Sequence, residues 1–278
     1  SQYTVKRICK VIKFARSTYY KYLCPRPSAR KTNKEKLRET IKNVFEENKK
    51  RYGAPKIQRV LASHGIHASL KRVQRHMAVL GLRSIVVKKY RHYSSKCLIE
   101  EHDNLLNRDF KTTVINKKWC TDITYIHTVN DGWTYLASVM DLASKKIIGY
   151  AYAKRMTAEL AVKAVANACL NVKDTTGIIL HSDLGTQYTS QIFEDELVRR
   201  NIIHSYSRKG NPYDNACIES FHSILKKEEI NHNRYYDFKI AGKAIFEYIE
   251  SWYNRKRIHG SINYMTPQEY EDAAKAAA

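Results

Sequence analysis

What this 278-residue chain lacks narrows its class before any motif is read. No stretch approaches 18 consecutive apolar residues, so no segment suits a membrane-spanning helix. Its first residues carry no apolar run of signal-peptide type. Six cysteines (Cys9, Cys24, Cys97, Cys120, Cys169 and Cys217) are scattered without one Cys-x-x-Cys pair. That pattern excludes a zinc ribbon and a disulfide framework, and suits a reducing compartment such as the cytosol. The eleven histidines do not complete a His-x₃-His set with paired cysteines, so a zinc-binding N-terminal domain is not expected. No heptad repeat is sustained, which leaves the chain without a coiled-coil segment of its own.

Acidic charge is scarce in one region only. Residues 1–99 hold 26 lysines and arginines against 4 acids, and that surplus equals the +22 of the whole chain. The remainder is balanced. A polyanion-binding module joined to a nearly neutral second module explains this split better than a uniformly basic protein. Nucleic acid is the favoured polyanion over a membrane surface, because the basic region breaks into short helix patterns rather than one amphipathic face.

Residues 3–23 read as two short helices, with Val5, Ile8, Cys9 and Ile12 at helical spacing, and Ser17 as the expected cap of the second. Pro25 and Pro27 close a small helix-turn-helix segment over 1–30. A longer helix follows with Leu37, Ile41, Val44 and Phe45 on one face. Then comes a helix-turn-helix pattern: Ile57, Val60 and Leu61 stripe one helix, Gly65 breaks the chain, and Ser69 caps a helix carrying Val73, Met77, Val79 and Leu80 up to Gly81. Between the apolar positions of that last helix stand Lys71, Arg72, Gln74, Arg75 and His76. In a DNA-binding domain over 34–82, Arg72 and Arg75 suit bidentate contacts to guanine edges and Lys71 a phosphate. Residues 83–112 read as a basic linker in which Lys88, Lys89 and Arg91 track a backbone.

From Lys118 the pattern changes. Trp119–Thr128, Trp133–Asp141 and Lys146–Ala153 read as three strands joined by short turns, one at Asn130-Asp131-Gly132. A helix capped by Thr157, a strand at Ile178–His181, a helix near 190–201, a strand at Ile202–Tyr206 and another helix follow. This order is that of an α/β ribonuclease H-like core over 113–235: a mixed five-stranded sheet with flanking helices, preceded by the all-α helix-turn-helix region. Residues 236–278 form a C-terminal helical extension, in which Trp252, Tyr253, Arg255, Arg257 and His259 either support the core or bind DNA.

Three acids fall at telling places in that core. Asp122 lies in the strand Trp119-Cys120-Thr121-Asp122-Ile123-Thr124-Tyr125, Asp183 ends the apolar run before His181-Ser182, and Glu219 opens a helix after Asn215. In such a fold the first and fourth strands are neighbours, so the two aspartates can converge, and Glu219 projects from a helix on the sheet. Three hard oxygen ligands of this kind can hold two Mg²⁺ ions, with Mn²⁺ as a substitute; at about 3.5–4 Å apart such ions serve both oxygens of an in-line displacement at phosphorus. His222, Ser223 and Lys226 share the face of Glu219, which sets Lys226 at a phosphate beside the metals. The basic loop Ser207-Arg208-Lys209-Gly210-Asn211-Pro212-Tyr213 is a further DNA-contacting candidate through Arg208 and Lys209.

Thirty-five residues separate Asp183 from Glu219, and a lysine follows seven after it. With Trp119 to Tyr125, His181 to Tyr188, Lys209 to Ala216, Glu219 to Glu228, Tyr253 to His259, and Thr266-Pro267 with Tyr270, the chain resembles the DDE transposases of the insertion sequence 3 family, within the retroviral-integrase-like superfamily. The resemblance covers roughly residues 45–270. It implies Asp122, Asp183 and Glu219 as metal-holding catalytic acids, and Gln187, Tyr188 and Asn215 near the scissile DNA. Arg257 and His259 fall within the resemblance and remain DNA-binding candidates. It further implies Mg²⁺-dependent cleavage at element ends and transfer of the 3′-hydroxyl to DNA, recognition of terminal inverted repeats, and a homodimer or larger assembly on DNA. Members are often frameshift fusions, so an upstream product supplying a leucine zipper is an expected partner, and the expected location is the bacterial cytoplasm, on the nucleoid.

Competing readings are weaker on the residues. A DNA-binding regulator with a dead integrase-like domain would be favoured by the loss of one acid, yet all three are present. A ribonuclease H-type nuclease that only hydrolyses has little use for helix-turn-helix modules. Among 20 tyrosines none stands in an Arg-His-Arg setting, and no isolated reactive serine is found, which disfavours recombinases that act through a covalent intermediate.

Overall fold

Elements form where the local pattern asks for them. The computed structural model describes residues 3–23, 29–86, 105–106, 109–110, 112–207 and 215–277. The chain divides into two compact units, Ser1–Ser84 and Ile85–Ala278.

In the first unit, α1 (Val5–Val11) and α2 (Arg16–Leu23) are followed by α3 (Ala29–Glu47), α4 (Ala54–Ser63) and α5 (Leu70–Val79). Ser17 was the expected cap, but α2 already begins at Arg16, so the serine lies inside the helix. The stripes of α3, α4 and α5 meet in one core: Leu37, Ile41, Val44, Phe45, Ile57, Leu61, Val73 and Met77 are all buried. Removing the side chains of Ile57 and Leu61 from water contributes about 1.5–3 kcal/mol each. Pro55 sits in the first turn of α4, where its missing N–H is not needed. The turn between α4 and α5 needs the left-handed backbone of Gly65 (φ 75°). Ser69 caps α5 by accepting from the Arg72 backbone N–H at 3.3 Å.

The second unit is built on five strands: β1 (Lys118–Thr128), β2 (Gly132–Asp141), β3 (Ile147–Ala153), β4 (Ile179–Ser182) and β5 (Ile203–Tyr206). Their order in the sheet is β3-β2-β1-β4-β5, with β1–β2 and β2–β3 antiparallel and β1–β4 and β4–β5 parallel. This is the mixed sheet expected of a ribonuclease H-like fold. On one face α6 (Ala158–Cys169) and α7 (Gln191–Arg199) bury Leu160, Ala161, Ala164, Val165, Ala168, Phe193 and Leu197 against Trp119, Ala137, Val139 and Ala151. The contact is close enough to require a glycine. A Cβ on Gly149 would stand 2.3 Å from the Ala168 backbone nitrogen and 2.5 Å from the Ala164 carbonyl oxygen. Thr157 stands at the N-cap of α6 as expected, but its hydroxyl does not make the capping bond.

The other face carries α8 (Ala216–Glu228), which buries Ile218, Phe221, His222 and Leu225. Behind it come α9 (Phe238–Phe246), a wide-turn π segment (Glu247–Tyr253) and α10 (Pro267–Ala276), the last opened by a capping box between Thr266 and Glu269. The π segment brings Tyr248, Trp252 and Arg257 to one buried carboxylate. Glu228 accepts from Tyr248 Oη at 2.9 Å, Trp252 Nε1 at 3.0 Å and Arg257 Nε at 3.1 Å. Asn254 bonds both ways with the Ile147 backbone, N–H to Oδ1 and Nδ2 to C=O, each at 3.0 Å, and so ties the π segment to the start of β3.

Candidate active site

β1 and β4 pair only at their beginnings, ending at Cys120 opposite His181. Two residues further along each strand, and on the same sides, stand Asp122 and Asp183, so parallel neighbours about 4.8 Å apart bring the two carboxylates level. The β1–β4 ladder ends before that point, so both aspartates stand at the carboxyl end of the parallel pair, where open α/β sheets bind their ligands. From the other side α8 lays its first turn over β1 and presents Glu219.

The electrostatics agree with this placement. Burial holds the Asp183 carboxyl above the usual range and the charge of Asp122 adds to it, while the Gly185 N–H donating to Asp183 Oδ1 at 3.0 Å works against both. Glu219 is also raised, first by burial and then by the charges of Asp122 and Asp183. Both carboxylates are open to solvent on one side; protein crowding on the other supplies the desolvation. Asp122 is held more firmly. Its Oδ1 accepts from the Ile123 N–H at 2.8 Å, and its Oδ2 lies 3.3 Å from His222 Nδ1, whose Nε2 lies 3.3 Å from Ser138 Oγ. His222, a neighbour of Glu219 on α8, is therefore a brace for Asp122; the helical spacing had placed it on the face of Glu219, with no role.

Among the described residues no three His, Cys, Asp or Glu side chains gather around a single point as a closed metal cage. The donor set nevertheless fits a hard divalent cation. β1, the end of β4 and α8 supply three carboxylates, and two of them are made weaker acids first by burial and then by a neighbouring carboxylate's charge, a repulsion that a cation between them would relieve.

Lys226 lies two turns beyond Glu219 on α8, half-buried, its Nζ 4.2 Å from the centre of the Tyr125 ring. Burial lowers its pKa and the charge of Asp122 opposes the shift. Other residues expected at DNA serve the protein itself. Tyr188 is 1% exposed and its hydroxyl lies 3.2 Å from Thr121 Oγ1. Asn215 is buried and donates through Nδ2 to the Thr121 carbonyl at 3.1 Å; among the described residues its Oδ1 has no hydrogen-bond partner. These two bonds clamp the backbone next to Asp122 from both sides. Arg257 and His259 are buried too, Arg257 on Glu228 and His259 edge-on to Tyr253. Gln187 is half-buried, close to Gly185 beside Asp183. Arg208, Lys209, Lys88, Lys89 and Arg91 lie outside the described residues.

In the first unit Lys71, Arg72, Gln74 and Arg75 are exposed on α5. Arg72 and Arg75 line a groove of about 1100 Å³ with Lys31, Lys34, Arg38 and His76, and no acid lines it. His76 is buried there, and its pKa is lowered by burial first and then by Arg38, Arg72, Lys34 and Arg75. A groove in which burial and then four neighbouring cations disfavour a charged histidine suits a polyanion.

Residues 113–212 and 200–267 match integrase core domain families, and residues 32–90 match an HTH-like domain family. The transposase for insertion sequence element IS904 of Lactococcus lactis is 42% identical over 88% of this chain and 97% of its own length. Transposase InsF for insertion sequence IS3A of Escherichia coli is 35% identical over 98% of this chain and 95% of its own. A simian T-cell lymphotropic virus intasome in complex with PP2A regulatory subunit B56 gamma aligns at 18% identity with a TM-score of 0.48, over 77% of this chain and 69% of that one.

Proposed function

The chain belongs to the insertion sequence transposases with an integrase core, of the family of IS3 and IS904, and on that premise we propose that it cuts DNA at the ends of its element and joins the freed 3′-hydroxyl to DNA, using Asp122, Asp183 and Glu219. The observation that supports this reading is the approach of those three carboxylates from β1, the end of β4 and α8: burial raises Asp183 and Glu219, and the charge of Asp122 adds to both, with that of Asp183 adding to Glu219.

The three acids would hold two Mg²⁺ ions, or Mn²⁺ in their place. Bound there, the metals would supply activation of a water or 3′-hydroxyl and stabilisation of the leaving oxygen. The chain's own residues do the rest. His222 and the Ile123 N–H orient Asp122, and Gly185 N–H orients Asp183. Tyr188 and Asn215 keep β1 from shifting beneath them. Lys226 stands where a phosphate flanking the scissile bond would pass. Exposed cations on α5 bind the terminal inverted repeats, with Arg72 and Arg75 toward base edges and Lys71 toward phosphate. Joining two element ends calls for at least two copies on DNA.

The test is strand cleavage and joining on a labelled duplex carrying the element's end, with Mg²⁺, for the wild type and Glu219→Gln. Cleavage leaving a free 3′-hydroxyl, its joining to a second DNA position, and loss of both in the variant are expected. Tight duplex binding with no metal-dependent cleavage by either protein, even with the upstream product added, would reject the reading in favour of a binding module.

A further inference from the structure

The far end of the β1–β2 hairpin carries exposed rings. Along β1 the residues that share a side with the buried Trp119 are Thr121, Ile123, Tyr125 and His127. Ile123 still packs on the core, whereas Tyr125 is 56% exposed. Trp133 of β2, directly opposite His127 in the ladder, is 54% exposed. The three rings interlock edge to face: Tyr125 and Trp133 have centroids 5.3 Å apart, and His127 and Trp133 5.0 Å. They line a cleft of about 600 Å³ together with Lys226 and Arg234, and no acid is among the residues lining it. Cross-strand aromatic contacts stabilise hairpins, and that alone accounts for the interlocking. It does not account for an open cleft in which the same rings meet two cations.

We propose that this cleft is a stacking subsite for unpaired nucleotides of single-stranded DNA next to the carboxylates, deepening the strand-transfer reading on which it rests. The chemistry matches on three counts. Every base has a π-face, so rings held at their edges by neighbours bind bases with little loss of side-chain freedom and without sequence preference. Lys226 and Arg234 supply charge for the backbone between stacked bases. The position also fits. Lys226 lies seven residues from Glu219, about 10 Å along α8, and reaches around the edge of β1 to hold its Nζ 4.2 Å from the centre of the Tyr125 ring. That spans roughly three nucleotides at the ~3.4 Å spacing of stacked DNA. A strand whose phosphate sits at the acids therefore has its neighbouring bases, once unpaired, over Tyr125 and Trp133. The occupant is set apart from a second protein copy by the charge: both cations and no acid favour a polyanion.

The experiment is binding of a labelled 12-nucleotide oligo(dT), and separately of the duplex element end, to the full chain in EDTA, for the wild type, Trp133→Ala and Trp133→Phe. Trp119 and Trp252 are buried, so oligo(dT) should quench the emission of Trp133. We expect Trp133→Ala to weaken oligo(dT) binding roughly 5- to 150-fold, Trp133→Phe to restore most of it, and duplex binding to be unchanged in both. Oligo(dT) affinity untouched by Trp133→Ala, with no quenching in the wild type, would overturn the proposal. So would a fall in self-association by sedimentation with oligo(dT) binding intact, which would assign the face to a second copy. Because binding is read without metal, a wild type that fails to cleave DNA rejects the function proposed above and leaves this result independent.

Discussion

Replacing Glu228 with glutamine is the sharpest probe of how the C-terminal extension holds α8. Glu228 is 4% exposed at the end of α8 and receives donors from Tyr248, Trp252 and Arg257, while Arg257 is itself buried. Glutamine keeps the size and one acceptor oxygen, so the indole and phenol bonds can survive in part. What it removes is the charge opposite a buried guanidinium. Breaking a buried pair from one side costs about 3–5 kcal/mol, because the remaining ion is left uncompensated. In a unit of this size each kcal/mol moves the unfolding midpoint by about 2–4 °C, so Glu228→Gln should lower it by roughly 6–20 °C. The double variant Glu228→Gln with Arg257→Met removes the stranded ion, and should be more stable than Glu228→Gln alone. The assay is urea unfolding and thermal denaturation of both singles and the double, read as a double-mutant cycle. A loss below about 1 kcal/mol in Glu228→Gln, or a double variant as unstable as the sum of its parts, would refute the claim that the carboxylate compensates a buried cation.

Gly149→Ala drives a methyl into the backbone of α6 rather than into a side chain that can turn aside, so it should cost at least the upper end of the usual 1–3 kcal/mol for overpacking; wild-type stability in urea would refute the close packing. Because Asp183 and Glu219 hold protons to higher pH in the folded state than in the unfolded chain, stability without metal should fall as pH rises from the ordinary carboxylate range through their raised values. Asp183→Asn should therefore melt higher than the wild type near pH 7.5 in EDTA, with the difference closing toward pH 4. By the same shift, Mg²⁺ stabilisation of the wild type should fade as pH drops through that window, since protons compete for the same oxygens; a pH-independent metal effect in thermal shift would count against these ligands. Lys71→Ala should weaken duplex binding evenly across sequences and reduce the salt-dependence slope by about 1, whereas a loss confined to the element's own end would move Lys71 from phosphate to base contact.

Much of the fold was legible because it is written in local pattern. Leu37, Ile41, Val44 and Phe45 recur at helical spacing and are buried on one face of α3. The alternation through Trp119–Thr128 marks β1, and Asn130-Asp131-Gly132 marks its turn, where Gly132 takes φ 68°. Even Ser69 could be named as a cap, since capping is decided within four residues. The start of α2 at Arg16 rather than after Ser17 went differently, because propensity near a terminus is weak and the neighbouring turn decides which residue comes first.

The sequence by itself determined the order of elements, the charge split that concentrates the positive surplus in the first third, and the three acids on which the proposed chemistry rests. It did not determine which polar side chains face DNA and which face the protein. Tyr188, Asn215, Arg257 and His259 look alike as candidates in one dimension, and all four turn inward once β1, α8 and the π segment are in place. The converse holds for Tyr125 and Trp133, ordinary strand aromatics by pattern, which the folded chain leaves more than half exposed beside Lys226 and Arg234. Periodicity is a local property that a short stretch of chain carries in full. Burial is a relation between segments a hundred residues apart, such as His222 and Asp122, and exists only after the chain has closed on itself.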